Sequence, residues 1–292
     1  MYPIKYIIRK RALGDVLWTE PVIRSMAEKY KKLIVYTKYP VLFQNYPWKN
    51  VVFTSRLSFF EKIILKADSI LGLHWLSLDL DQAYETKPHT HFLHAYQQTA
   101  NLPVTREYPR LYLSPTEENH RIEERPYVVL HIESFSNKAY RQVVGIDWEQ
   151  VVLFFKERGF QVLQVGVKEN VLSGARFIKT TIRELLSLLR HADYFVGIDS
   201  GPSHLASSLG IRSLLLFSAI DPSLRHFPDL MNGIILKQSC EHDCTNYDVQ
   251  SEAEHFCSAK VNGIPRCCIF DTGKVLVQLG KLLKEDTDET NQ

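Results

Sequence analysis

At 292 residues the chain is long enough for two domains of ordinary size. Hydrophobic residues make up 45% and charged residues 23%, the composition of a globular protein with a sizeable core. A formal net charge of +2 is too mild to make nucleic acid the main partner, and no unbroken apolar run is long enough to span a bilayer.

The chain begins with a short apolar run at 4–8, flanked by charge and too brief for a signal-peptide core, so the expected location is cytoplasmic. This run reads as the first strand, followed by the loop Arg9-Lys10-Arg11-Ala12-Leu13-Gly14-Asp15. Val16, Trp18, Val22, Ile23 and Met26 then form the apolar face of a helix, in which Pro21 marks a kink or a second start. Further strands are expected at 33–37, 51–54 and 69–74, and a helix carries Phe92, Leu93, Tyr96 and Thr99. Residues 114–126 are polar and proline-bounded, which suits a linker. The second half restarts the alternation: strands at 127–132, 160–165, 177–178, 194–198, 213–217 and 234–236, with helices at 147–158, 181–191 and 273–283, and a frayed polar tail from 284. Strands alternating with helices imply βαβ units and parallel sheets, here in two doubly wound domains, 1–120 and 121–292, facing a cleft. Ligands of such sheets bind beyond the carboxyl ends of the strands.

The most informative stretch is residues 194–210. A buried-strand run ends in Asp199-Ser200-Gly201-Pro202, where Gly permits close backbone approach and Pro suits the first helical position; Leu205, Ser208 and Leu209 continue at helical spacing and Gly210 ends the helix. A helix start of this kind attracts phosphate through its free N–H groups and dipole. It is also what an ordinary strand-to-helix turn looks like. The run Asp199-Ser200-Gly201-Pro202-Ser203-His204-Leu205-Ala206, followed by 214–218 and Asp221-Pro222, resembles the donor-binding signature of the heptosyltransferase family, glycosyltransferase family nine. The loop 9–21 is similar to the same family's N-terminal signature: a basic residue, Gly-Asp, an apolar pair, Thr and Pro.

The resemblance covers nearly the whole chain and implies the two-domain GT-B fold, an inverting transfer without a catalytic metal, and a nucleotide-sugar donor such as ADP-heptose. It places the catalytic base at Asp15. Physically, a carboxylate after a Gly loop can take a proton from an acceptor hydroxyl; it also reads as an acidic residue favoured by a helix dipole. Arg9 and Arg11 either meet an anionic acceptor or are solvated surface. Glu20 departs from the small or apolar residue of the family pattern, which marks a different acceptor or an exposed face. By the same resemblance Ser134 and Lys138 meet the donor diphosphate and Glu169 the ribose hydroxyls, while Asp199, Ser200, Gly201, Pro202 and His204 complete the donor site. The loop after Lys138 lacks the family's aromatic–proline step, which leaves room for Arg141 in the phosphate role. His204 reads equally well as a structural histidine anchoring the turn.

All five cysteines lie between Cys240 and Cys268. Cys240, Cys244, Cys257 and Cys267, or Cys268 in place of the last, form either a structural zinc or iron site or a set of reduced thiols. The acceptor implied by the family is an anionic glycan of the lipopolysaccharide core or another lipid-linked acceptor, reached by peripheral contact with the inner membrane. Another nucleotide sugar, a protein acceptor and a non-catalytic sugar-nucleotide-binding assembly protein are the alternatives.

Overall fold

The computed structural model describes residues 2–119, 123–124, 126–133, 142–168, 171–240, 257 and 259–289, with side chains to 284 in the last helix. Ser134, Lys138, Glu169 and Cys244 lie outside the described residues. The chain divides into two compact units, Met1–Ser114 and Pro115–Gln292.

The first unit holds a four-stranded parallel sheet in the order β3-β2-β1-β4. Its elements are β1 (Tyr2–Ile8), α1 (Leu13–Leu17), α2 (Glu20–Ala27), β2 (Tyr30–Tyr36), β3 (Val51–Thr54), α3 (Phe59–Ile70), β4 (Ser77–Asp79) and α4 (Phe92–Thr99). Pro21 occupies the first turn of α2, so it begins a second helix rather than kinking one. The strand expected at 69–74 is not formed. Ser58 and Glu61 close a reciprocal capping box that starts α3, and the helix runs through Ile70 before β4 begins. The Asp68 carboxylate, buried at the foot of α3, accepts from the N–H groups of Trp75 (3.0 Å) and Ser77 (2.9 Å) and from Ser77 Oγ (2.7 Å). These bonds satisfy a buried charge and fix the turn between helix and strand.

The second unit contains α5 (Pro115–Asn119), β5 (Tyr127–His131), α6 (Trp148–Lys156), β6 (Gln161–Val165), β7 (Arg176–Ile178), α7 (Ile182–Arg190), β8 (Tyr194–Ile198), α8 (Gly201–Ser208), β9 (Ser213–Phe217) and β10 (Gly233–Lys237). The short strands β11 (Lys260–Val261) and β12 (Ile264–Pro265) and the helix α9 (Thr272–Glu289) follow. Six parallel strands run β10-β9-β8-β5-β6-β7. Strands β5, β8 and β9 are buried at every position, which explains their unbroken apolar runs. Within the polar segment read as a linker, α5 packs on α7, where Glu117 and Arg183 form a two-pronged ion pair with both bonds at 2.6 Å. Helix α9 covers β9 and β10 through the buried Val275, Leu279 and Leu282 and extends to Glu289, past the expected fraying point.

In each sheet the chain reverses its direction of growth once. It does so beside β1, between β2 and β4, and beside β5, between β6 and β8. Such switch points open a crevice at the carboxyl ends of the strands. Both sequence signatures sit there.

Candidate active site

In the first unit the loop after β1 turns at Ala12, whose φ of +61° is uncommon outside glycine and is tolerated by a small side chain. Asp15 follows in the first turn of α1. Its Oδ2 accepts from Tyr84 Oη at 3.0 Å and pairs with the Arg9 guanidinium. Arg9 is 5% exposed. It donates to the carbonyls of Leu80 (3.0 Å) and Asp81 and to Tyr84 Oη (3.3 Å), and lies over the rings of Tyr84 and Tyr96 at 5.1 and 5.7 Å. Glu85 stands 3.8 Å from the same guanidinium, and burial pushes its carboxyl up. Arg9 therefore does not present a free charge to an acceptor; it holds Asp15. Arg11 is exposed, and Lys10 pairs with Asp81 at 2.8 Å.

Glu20 is fully buried, not on an exposed face. It accepts from Arg24 Nε (3.1 Å) and the Arg110 N–H (3.0 Å) and bridges α2 to the segment after α4; burial pushes its carboxyl up. The family's apolar residue is thus replaced by a satisfied internal ion pair.

In the second unit the turn after β8 is tied down from within. The Asp199 N–H donates to the Leu216 carbonyl (3.1 Å) and the Ser200 N–H to Ser203 Oγ (3.0 Å). Ser200 N–H is thus spent inside the turn, and Pro202 has none. Ser200 and Ser203 close a reciprocal capping box, so the Ser203 N–H is also engaged within the turn, and Gly201, the first residue of α8, carries the first-turn N–H without an intrahelical partner. Gly210 takes φ +70° to end α8. His204 is buried, stacks on His226 at 4.5 Å with rings 9° apart, and has Nε2 3.7 Å from Asp199 Oδ1. His204 is thus packed between His226 and the Asp199 carboxylate at the start of α8.

Two residues here escaped sequence reasoning. His131, at the carboxyl end of β5, places Nδ1 3.0 Å from Ser200 Oγ. Glu133 accepts from the N–H groups of Val167 (2.9 Å) and Lys168 (3.0 Å), bracing the loop that leads from β6 toward Glu169. Gly166 makes this possible, because a Cβ there would sit 2.4 Å from the Glu133 carboxylate. Neither residue belongs to a motif; each is legible only once β5 is known to lie between β6 and β8.

Burial holds the His131 imidazole neutral, pushing its pKa down to about 4, and burial acts on His226 in the same direction. An unfolded histidine near 6.5 binds a proton that the native state refuses, so stability falls as pH drops from about 6.5 toward 4. His131 alone should cost roughly 2 kcal/mol between pH 7 and pH 5. Urea unfolding at the two pH values measures this, and His131→Gln should flatten the dependence by about that amount. An unchanged slope in the variant would mean that His131 is not held neutral.

Cys267 and Cys268 are buried beside Ala219, Ile220 and Leu224, and Cys240 packs on the same cluster. A hydrogen bond from the Cys268 thiol pushes Cys267 down and Cys268 up. The donor chemistry suits a thiophilic metal. Among the described residues, however, no group of three or more His, Cys, Asp or Glu side chains is placed to hold an ion.

The chain is thus a two-unit parallel α/β protein with a polar signature at the switch point of each sheet. The sequence profile of glycosyltransferase family 9 (heptosyltransferase) matches residues 74–251, more than half of the chain. The chain belongs to that family. It is 34% identical over 121 residues to the autotransporter heptosyltransferase Aah of Escherichia coli, a segment covering 37% of this chain and 29% of that protein. The match thus spans under a third of the length of this curated relative. Among solved structures, the iron-containing dodecameric glycosyltransferase TibC from enterotoxigenic E. coli superposes with a TM-score of 0.72 at 18% identity, covering 97% of this chain and 77% of TibC. The E. coli ADP-heptose lipopolysaccharide heptosyltransferase II gives 0.68 at 13% identity, covering 98% and 100%. TibC has also been solved in complex with ADP-D-β-D-heptose. These likenesses support the GT-B-type fold of two parallel α/β units.

Proposed function

We propose that this chain transfers heptose from ADP-heptose to an acceptor hydroxyl with inversion at the anomeric carbon. The observation that carries the reading is the Asp15 carboxylate, held at the carboxyl end of β1 by Arg9 and Tyr84. The acceptor oxygen attacks the anomeric carbon, its proton passes to Asp15, and the bond to the ADP oxygen breaks. Charge on the departing diphosphate is met by the α8 start, with Gly201 as backbone donor, and by Ser134 and Lys138. Glu169 and Asp199 take sugar hydroxyls. No metal takes part in this chemistry.

The acceptor is a lipopolysaccharide-core or other lipid-linked glycan, reached from the cytoplasmic side with peripheral contact to the inner membrane. A protein hydroxyl is the second reading, favoured by the similarity to autotransporter heptosyltransferases. Incubation of the protein with ADP-heptose and either a heptose-deficient core oligosaccharide or an unmodified autotransporter passenger separates the two. ADP-heptose should be turned over with one acceptor and not the other, and GDP- and UDP-sugars with neither. Binding of ADP-heptose without transfer to either would instead favour a non-catalytic binding protein. Lys138→Ala should weaken ADP binding by roughly 1.5–3 kcal/mol while leaving adenosine binding nearly unchanged, by calorimetry. Equal weakening of both would place Lys138 away from the phosphates.

The cysteine cluster is proposed as a structural zinc or iron site using Cys240, Cys244, Cys257 and Cys267 or Cys268. What supports it is the shared packing of Cys240, Cys267 and Cys268. Purified protein should then carry close to one metal equivalent, and chelation should lower its melting temperature. Metal-free protein of undiminished stability would leave reduced thiols.

A further inference from the structure

Helix α3 is amphipathic in the reverse sense for a surface helix. Leu65, Asp68 and Glu61 lie on its inner side, where Leu65 packs with Tyr6, Ile34 and Leu57 and Glu61 accepts from Tyr6 Oη at 3.0 Å. At 100° per residue, Phe59, Ile63, Lys66 and Ile70 share the opposite line. Phe59, Phe60, Ile70 and Leu71 are all about 70% exposed, and Trp75, on the turn that follows, is 74% exposed. The turn is built to hold Trp75 there. Asp68 accepts its N–H, and Lys5 Nζ donates to the carbonyls of His74 (2.7 Å) and Trp75 (3.1 Å). A contiguous face of large apolar side chains turned to water marks a docking surface.

Charge chooses the occupant. Between Arg56 and Trp75 every exposed ionised side chain is basic: Arg56, Lys62 and Lys66. Of the two acids in this stretch, Asp68 is buried in the turn, and Glu61, half-exposed, is engaged by its capping box and by Tyr6. Lysines flanking an apolar stripe, with a tryptophan at its edge, are the chemistry of a helix lying in an anionic lipid interface. A second copy on the same face would oppose like charges. No described helix is long and apolar enough to cross the bilayer, so contact through this face would be in-plane. We propose that the outer face of α3, with the turn carrying Trp75, docks on an anionic membrane surface. This gives the peripheral contact of the proposed function a place. It rests on that reading only for its biological purpose, since lipid binding is read independently of sugar transfer.

The test is co-sedimentation of the full chain with phosphatidylcholine vesicles, with and without phosphatidylglycerol, alongside ADP-heptose binding. The protein should partition to the anionic vesicles, with a blue shift in tryptophan emission that Trp75→Phe removes. The double change Phe59→Ser and Phe60→Ser should weaken partitioning at least tenfold. Lys62→Gln and Lys66→Gln should each weaken it about fivefold. All these side chains are exposed, so nucleotide binding should not change in any variant and reports that the fold is intact. Failure of the parent to bind anionic vesicles would overturn the proposal. So would binding that survives loss of both phenylalanines, or self-association that these variants abolish without any lipid binding. Absence of sugar transfer with lipid binding intact would count against the enzymatic reading and not against this surface.

Discussion

Asp15→Asn should lower turnover roughly 10²–10⁴-fold, the range of general acid–base catalysis, while donor affinity stays near that of the parent. The acceptor hydroxyl is a poor nucleophile while it keeps its proton, and Asn conserves the shape of Asp without accepting that proton. The residues assigned to the donor all belong to the second unit, so their affinity for ADP should not depend on residue 15. The structure adds a second effect. Asp15 is the anionic partner of a buried guanidinium, so Asn should also reduce stability, by about 1–3 kcal/mol. A mere helix-start residue would show neither loss, because Asn also serves well at helix starts. Asp15→Glu separates the two effects: it keeps the ion pair and most of the stability but moves the carboxylate by one methylene away from a productive geometry. Steady-state transfer at saturating donor, with melting curves alongside, reads both. Turnover within a few-fold of the parent for Asn would remove Asp15 from the mechanism.

Strands β5, β8 and β9 were legible because a strand buried on both faces must be apolar throughout, as at Val128, Val129 and Leu130 or Leu214, Leu215 and Leu216, whereas β4 was missed. The same rule misled at 69–74. There the apolar side chains of Ile70, Leu71 and Leu73 stand in water, and an apolar run alone does not distinguish a core from a docking face. The backbone chemistry of Ser58 and Glu61 was the better guide. Asp15 and the 199–204 turn were legible because each is a local motif. Their supports were not. Tyr84 is 69 residues from Asp15, and Leu80 is 71 residues from Arg9. They meet because β1 pairs with β4, a neighbour that alternation alone does not specify. Basic residues after a strand read equally as acceptor contacts or as solvated surface, and only this pairing turns Arg9 inward while Arg11 stays out.

That inward turn makes Arg9→Met the substitution with the largest expected cost in stability. Methionine approximates the length of the aliphatic stem but donates nothing. It would leave the Leu80 and Asp81 carbonyls and the Asp15 carboxylate without their shared partner, in a pocket where Arg9 is 5% exposed. Removing one member of a buried pair costs about 3–5 kcal/mol, chiefly because the other charge stays behind. The stacking of the guanidinium on Tyr84 and Tyr96 would be lost as well. Arg9→Lys should fall between parent and Met: the charge remains, but one ammonium cannot reproduce a planar fork that reaches two carbonyls and a carboxylate at once. Denaturant unfolding gives the order. Kinetics then tell a brace from a simple core residue. Measured well below each variant's melting temperature, a residue that orients the base should lower kcat with little change in KM for donor or acceptor, and Lys should recover part of the loss. A variant that is destabilised but keeps full kcat would confine Arg9 to holding the fold. One whose acceptor KM rises while kcat holds would return Arg9 to direct acceptor contact.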